Sequence, residues 1–379
     1  MGSKVCLIST VHPVFDTRIF YREAMTLSHS GYRVFLIASY NKESIVSGIK
    51  ILPVSSRKGR IFRILIKGWQ AFFRGIRINA DIYHFHDPEL IPMGIILKLL
   101  GKKVIYDVHE NVSMQIYSKN WIPIILRRYI AEIFKFIEKI ALSFFSGIIV
   151  AGEDIMRQTH FRRVSYKVTL LRNFPVVELT EKEVFPKPQN KIIFIYTGII
   201  SNDRGILEVI KAFKKIRSVN IRLILLGQFD SNNFKEKILR ETQGCNNIKY
   251  IPSVSYQEMF DILAKCHVGL MCFKPTPNNI GALSGRNNKI YEYMQAGLAI
   301  IGSNFPLWEE FIKGNKIGIT VNPYDPSQIK EAMEFFITNP IELDQMEKNA
   351  KLLSREFSWG KESEKLIELY KELLNEDKI

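Results

Sequence analysis

Cysteine is sparse and unpaired in this chain. Cys6, Cys245, Cys266 and Cys272 are scattered over 379 residues without a Cys-x-x-Cys spacing, which excludes a disulfide framework or cysteine-based zinc site and fits a reducing cytoplasm. Long apolar runs are missing as well: nothing approaches the roughly 18 uninterrupted apolar residues of a membrane-spanning helix. No fixed-period repeat or low-complexity tract occurs, so solenoid and disordered readings fall away. Val5–Thr10 runs straight into His12-Pro13 without the basic flank and cleavage site of a leader, and reads as a first strand. Acid is the scarcer charge, and unevenly so. Residues 1–185 hold 27 Lys/Arg against 15 Asp/Glu (+12), and residues 186–379 hold 26 against 23 (+3), within a total of +15. A one-sided field points to an anionic partner such as a membrane surface, nucleic acid or phosphorylated substrate.

What is present is a hydrophobic content of 46%, enough for two packed cores in a chain of this length. Apolar runs at Val5–Ser9, Val34–Ser39, Ile82–His86, Val104–Val108 and Ile148–Ala151 alternate with helical patterns, as parallel strands with crossover helices do. The pattern restarts after the Pro-punctuated, charged segment Pro175–Lys191, with strands predicted at Ile192–Thr197, Leu223–Gly227, Lys249–Ile251, Val268–Phe273, Ala299–Ser303 and Gly318–Val321. Two Rossmann-like, doubly wound α/β domains follow, residues 1–185 and 186–360, facing across a cleft. Residues 361–379 form a C-terminal helix for packing back on the first domain. Ligands of such sheets sit outside the carboxyl ends of the strands.

Two segments carry the chemistry of an anion site. In Tyr196–Gly205 a strand ends in Gly198, and a polar turn leads to Arg204-Gly205 and a helical pattern. Free N–H groups at a helix start, with the helix dipole and a guanidinium, suit phosphate. In Gly281–Gly297 glycine and polar residues precede a short helix, with Ser284, Arg286, Asn288 and Lys289 at its approach. Glu292 lies one turn past Asn288 on the same face, and a carboxylate there can accept both hydroxyls of a ribose. The bland alternatives are an ordinary strand-to-helix turn and a solvated surface glutamate.

The stretch KIYEYMQAGLAIIGSN resembles the second half of the donor motif of family 4 glycosyltransferases. The resemblance places the ribose-binding glutamate on Glu292, while the partner glutamate, which contacts the transferred sugar, falls on Ser284. IYTGIISNDRGILEVIKAF resembles the glycine-then-Lys-Gly signature of that family's donor domain, with Arg204 in place of lysine and Ile199 in place of an arginine; Lys289 or Arg286 would replace the latter. VIYDVHENV resembles the strand that supplies a histidine to the reaction centre, which gives His109 that role. TVHPVFDTRIFYREAMTLSHSGYRV and HFHDPEL resemble a subgroup acting in bacterial surface-polysaccharide assembly, and within them Asp16, Arg18, His86, Asp87 and Glu89 are the candidates for the acceptor or the cleft, His86 because it falls at the carboxyl end of a predicted strand. Taken alone, His12, His84, His86 and His109 are each ordinary partly buried histidines, and Asp87 and Glu89 either act on an acceptor hydroxyl or cap the helix that follows.

The resemblance implies the GT-B fold, retention of anomeric configuration, and a hexose-type sugar moved from a nucleotide diphosphate sugar, UDP favoured over GDP, to a lipid-linked or other saccharide. No Asp-x-Asp occurs, so a metal-bridged diphosphate has no evident ligands, no cofactor is expected, and Arg204 and Lys289 would stabilise the leaving group. A nucleotide-sugar 2-epimerase would share the fold without needing an acceptor. A basic nucleic-acid-binding protein is the other alternative, although no helix-turn-helix, zinc-finger or RNA-binding strand signature occurs and no nucleic acid is expected. Residues 57–77 hold seven Lys/Arg, no acid and several aromatics. Arg60, Arg63, Lys67, Trp69, Phe72 and Phe73 are therefore the expected contacts with the inner face of the cell membrane, making the enzyme cytoplasmic and peripherally attached. Residues 119–145 repeat the theme, with packing on the sheet as at least half of their role.

Overall fold

The computed structural model describes residues 2–55, 59, 62, 66–118, 122–158, 161, 164, 167–176, 187–188, 190–280, 283 and 288–375. The chain divides into two compact units, one of Met1–Asn173, Ser284–Arg286 and Trp359–Ile379, the other of Phe174–Leu283 and Asn287–Ser358.

The first unit is built on eight strands: β1 (Lys4–Pro13), β2 (Arg33–Ser39), β3 (Ser44–Val46), β4 (Ile49–Val54), β5 (Ile82–Phe85), β6 (Lys103–Val108), β7 (Gly147–Val150) and β8 (Val168–Leu170). Their order is β3-β4-β2-β1-β5-β6-β7-β8, parallel throughout except for the β3–β4 hairpin. The second unit carries β9 (Ile192–Thr197), β10 (Ile221–Leu226), β11 (Ile248–Ile251), β12 (Val268–Met271), β13 (Ala299–Ser303) and β14 (Gly318–Val321), ordered β11-β10-β9-β12-β13-β14 and all parallel. Helices cover both faces of such sheets, so β5, β7, β12 and β13 are buried at every residue and read as continuous apolar runs. Strand order reverses between β1 and β5 in one unit and between β9 and β12 in the other. Loops that leave neighbouring strands in opposite directions open a crevice at those points.

Helices α1 (Gly68–Ile78), α2 (Ile91–Leu99) and α4 (Ile124–Phe144) cover one face of the first sheet, over a core that includes Ile8, Ile37, Phe85, Tyr106 and Val150. The short α3 (Val112–Ser118) packs on α4 around Ile116, Ile122 and Ala131. In the second unit α5 (Ile206–Lys214) follows β9 and α6 (Asn288–Gln295) precedes β13. The C-terminal helix α7 (Trp359–Asn375) belongs to the first unit and lies on the opposite sheet face. Trp359 Nε1 donates to Thr26 Oγ1 (2.8 Å), Tyr370 OH pairs with His84 Nδ1 (2.8 Å), and Lys103 Nζ donates to the Leu373 carbonyl.

The basic segment 57–77 requires a correction. Arg60 and Arg63 lie outside the described residues. Lys67 does not meet a bilayer: it is buried, and its ammonium donates to the Thr10 carbonyl and the Ser39 hydroxyl. Phe72 likewise turns into the core, because the helical period that puts Gly68, Ala71 and Gly75 on the sheet carries Phe72 with them. Trp69 and Phe73 remain exposed.

Candidate active site

The second unit gathers a cationic site at the ends of β9 and β12. Gly198 closes β9 at φ 105°, in the region that favours glycine, and a Cβ there would stand 2.7 Å from Lys289 Cε and 2.9 Å from its Nζ. The Lys289 ammonium therefore rests directly on the glycine. Gly205, at φ 67°, begins α5, and any Cβ would fall 1.9 Å from the Cys272 carbonyl oxygen, so the turns after β9 and β12 meet backbone to backbone. Between them Arg204 is fixed. Its guanidinium carbon is 4.5 Å from the Phe273 ring centre, Nη1 donates to Asn279 Oδ1 (2.9 Å), and Nε stands 3.6 Å from Asp203 Oδ2. Asn279 in turn donates to the Lys274 carbonyl (2.8 Å) and the Asp203 carbonyl (3.3 Å).

Helix α6 is held to the same place by Tyr293, whose buried hydroxyl accepts the Thr197 N–H at 3.0 Å. That anchor brings Lys289 Nζ to 5.9 Å from the Phe273 ring centre and sets Glu292, buried, one turn past Asn288. Burial pushes the Lys289 ammonium down, the charge of Arg204 pushes the same way, and Glu292 and Asp203 oppose them, leaving it at about 8. Two cations at a strand-end crevice beside the start of α5 suit a diphosphate, which would also recharge Lys289. Gly198, Arg204, Asn288, Lys289 and Glu292 thus share one neighbourhood. Ser284 and Arg286 lie outside the described residues. Ile199 is exposed.

The first unit holds a buried histidine and carboxylate cluster around Asp107. Arg18 grips that carboxylate with Nε (2.8 Å) and Nη2 (3.0 Å), and also reaches Glu23 Oε1 (2.8 Å), the Leu171 carbonyl (2.8 Å) and Asn173 Oδ1 (2.6 Å). His109 Nε2 lies 3.2 Å from Asp107 Oδ2 and 3.2 Å from His86 Nδ1. Burial would raise Asp107, but Arg18 and His109 hold it well below the usual carboxylate range. Glu23 goes the other way, raised by burial and by its neighbour Asp107. Burial and the nearby His84 drive His86 well below the ordinary histidine range, so it is neutral. The ligand atoms of Glu23, His84, His86 and Asp107 lie within 4.8 Å of one another, a metal's reach, but the Arg18 guanidinium already supplies positive charge to both carboxylates.

Four acceptor-side assignments change. Arg18 is buried and spends its donors on Asp107, the Leu171 carbonyl and Asn173, so its role is to hold the polar core and not to face a substrate. His86 is buried too, with its Nδ1 3.2 Å from Nε2 of the partly exposed His109. Asp87 neither caps the turn that follows nor points outward: its Oδ2 accepts from Ser9 Oγ (3.0 Å), Thr10 N (2.5 Å) and Thr10 Oγ1 (3.2 Å). Glu89 accepts from Thr10 Oγ1 (3.1 Å), so this pair clasps the end of β1. Asp16 accepts from the Arg18 and Ile19 amides (2.8 and 3.0 Å) and lies 3.4 Å from His12 Nδ1. Burial works against the His12 charge, yet Asp16 raises it to about 9. The His12 ring centre is 5.3 Å from that of His109, so these two imidazoles line the end of β1 and β6 together.

Asp107, Glu23, Phe273 and Asn279 were not singled out from the sequence. Asp107 had a signal, since residues two apart in a strand share a face and it precedes His109 by two. Glu23 had none, because only folding brings it to β6.

Residues 177–353, just short of half of the chain, match the sequence model of the family Glycosyl transferases group 1. No curated protein matches the chain in sequence. Sucrose-phosphate synthase from Thermosynechococcus elongatus superposes with a TM-score of 0.76 at 16% identity, over 98% of this chain and 99% of that one. HepE from Anabaena, solved with UDP and glucose, gives 0.72 at 12% identity over 98% and 100%. WaaG, a glycosyltransferase involved in lipopolysaccharide biosynthesis, gives 0.70 at 12% over 95% and 98%. The chain has the α/β fold of these GT-B glycosyltransferases, two Rossmann-like units each on a parallel sheet.

Proposed function

We propose that the chain is a retaining, metal-independent glycosyltransferase. It moves a hexose-type sugar from a nucleoside diphosphate sugar, UDP-linked in the first instance and GDP-linked in the second, to a lipid-linked saccharide in polysaccharide assembly at the inner face of the cell membrane. The observation that carries this reading is the meeting of Arg204 and Lys289 over Phe273 and Gly198. The family match over residues 177–353 and the UDP bound by HepE support it.

In this reading Glu292 accepts the ribose hydroxyls, and Arg204 and Lys289 take up the charge that develops on the departing diphosphate. Donors fixed before the reaction stabilise that charge without reorganising, the role a divalent ion plays elsewhere. His109, backed by Asp107 as His86 is, takes the role that the resemblance gives it, the histidine of the reaction centre. The acceptor hydroxyl enters on the sugar face from which the diphosphate leaves, which gives retention.

Incubation with UDP-hexoses, with and without lipid-linked saccharide acceptors, tests the proposal. Release of UDP that requires acceptor, is indifferent to EDTA, and yields a glycoside of unchanged anomeric configuration by NMR is the expected result. A sugar altered at C2 in the absence of acceptor would mark an epimerase instead.

A further inference from the structure

Helix α4 has two apolar faces, and among the described residues only one packs into the unit. Ala131, Glu138, Ala141 and Leu142 point into the unit. On the other side Ile125, Tyr129, Ile133, Phe136, Ile140 and Phe144 recur at steps of three and four residues. They are 43–81% exposed: Ile125 81% and Ile140 43% mark the ends of that range. At roughly 100° per residue they form a single stripe turned away from the buried side, along about 30 Å of helix. A soluble chain ordinarily breaks up such a row with polar residues.

The charges around the stripe identify its partner. Arg128, Lys135 and Lys139 fall along one flank of it by the same helical geometry. Of the two acids on α4, Glu138 is buried and takes the Tyr106 hydroxyl (3.2 Å), which leaves Glu132 alone on the outer side. Arg127 braces the helix start through the Ile122 and Tyr117 carbonyls, both at 2.9 Å. Met114 and Tyr117 of α3, and Trp69 and Phe73 of α1, add exposed apolar side chains to the same helical layer. No helix among the described residues is long and apolar enough to cross a membrane.

We propose that the outward face of α4 lies in the interface of an anionic lipid bilayer, with Ile125, Tyr129, Ile133, Phe136, Ile140 and Phe144 in the acyl boundary and Arg128, Lys135 and Lys139 on the headgroups. An apolar stripe flanked by cations is the pattern of a helix that rests in that interface, and a basic residue near an anionic surface adds about 1 kcal/mol of attraction. The bilayer contact moves from residues 57–77, where Lys67 and Phe72 turn inward, to α4. The inference deepens the membrane-associated reading above and rests on it only for where the acceptor lies.

Co-sedimentation of the full chain with vesicles of phosphatidylcholine and phosphatidylglycerol, against phosphatidylcholine alone, tests it. The wild type should pellet with the anionic vesicles at low salt. Ile125→Ser with Ile133→Ser and Phe136→Ser should weaken partitioning by about tenfold or more, as should Arg128→Glu with Lys135→Glu and Lys139→Glu. These side chains are largely outside the core, so melting temperature and nucleotide-induced stabilisation should persist in both variants, which separates loss of docking from loss of donor binding. Wild type that ignores anionic vesicles, or binding untouched by both variants, would overturn the proposal. So would a wild-type dimer in light scattering that the serine variant splits while neither protein binds vesicles, because the face would then belong to a second copy.

Discussion

Arg204 lies over Phe273, 4.5 Å from guanidinium carbon to ring centre, with Asn279 holding one of its nitrogens at 2.9 Å. A cation over an aromatic face gains roughly 0.5–2 kcal/mol, and the clamp removes rotamer freedom before any ligand arrives. The guanidinium is set in place for an anion at the end of β9.

Arg204→Ala should lower kcat by about 10²–10³-fold, the loss typical of one fixed transition-state donor. Arg204→Lys keeps the charge without the planar fork or the stacking and should recover only part of that loss. Steady-state kinetics with a UDP-sugar checks both. Because Arg204→Ala also removes the stacking on Phe273 and leaves buried Asn279 without that partner, the melting temperature should fall by a few degrees while the chain stays folded.

Lys289 carries a pH signature. Its ammonium sits at about 8 in the free protein, lowered first by burial and then by Arg204. Below that pH it is charged and attracts a diphosphate; above it the charge, and the attraction, are lost. UDP affinity measured by calorimetry should therefore weaken as pH rises from 7 to 9, and bound UDP should move the midpoint upward. In Lys289→Ala that dependence should flatten, with weaker binding throughout.

Asp107 is the keystone of the first unit's polar core. Asp107→Asn leaves Arg18 buried with half of its charge partners and should cost about 3–5 kcal/mol in denaturant unfolding. Its carboxyl is held below the ordinary range in the folded chain, so its stabilisation is full above about pH 4 and is lost as pH falls further. The variant should lose that acid limb of the stability profile.

Much of this was legible in the residues, and the rest shows where legibility stops. Strands buried on both faces, such as Ile82–Phe85 and Ala299–Ser303, announce themselves as unbroken apolar runs. The β3–β4 hairpin does not: it is short, it turns at Ser47-Gly48 with both residues at positive φ, and Pro53 interrupts its second strand. β8, three residues long and half-buried, left no pattern. Around the donor crevice, glycines mark where backbone and lysine must approach, so Gly198, Arg204 and Lys289 could be grouped from local chemistry. The Arg18–Glu23–Asp107 network could not, since its members come from segments about 90 residues apart that only the sheet brings together. Amphipathic periodicity revealed α1 and α4 as helices but not their phase: Lys67 faces in, and six apolar side chains of α4 face out.

The central claim is that the crevice formed by Gly198, Arg204, Lys289 and Glu292 binds a nucleoside diphosphate sugar. A thermal-shift screen of nucleotide sugars on wild type and Glu292→Ala tests it most directly, since a ligand at a hundred times its Kd adds about 2.7 kcal/mol to stability. A selective rise in Tm with one class of nucleotide sugar, absent in Glu292→Ala, is the predicted result. No rise with any nucleotide sugar, or a rise that persists unchanged in Glu292→Ala, would contradict it.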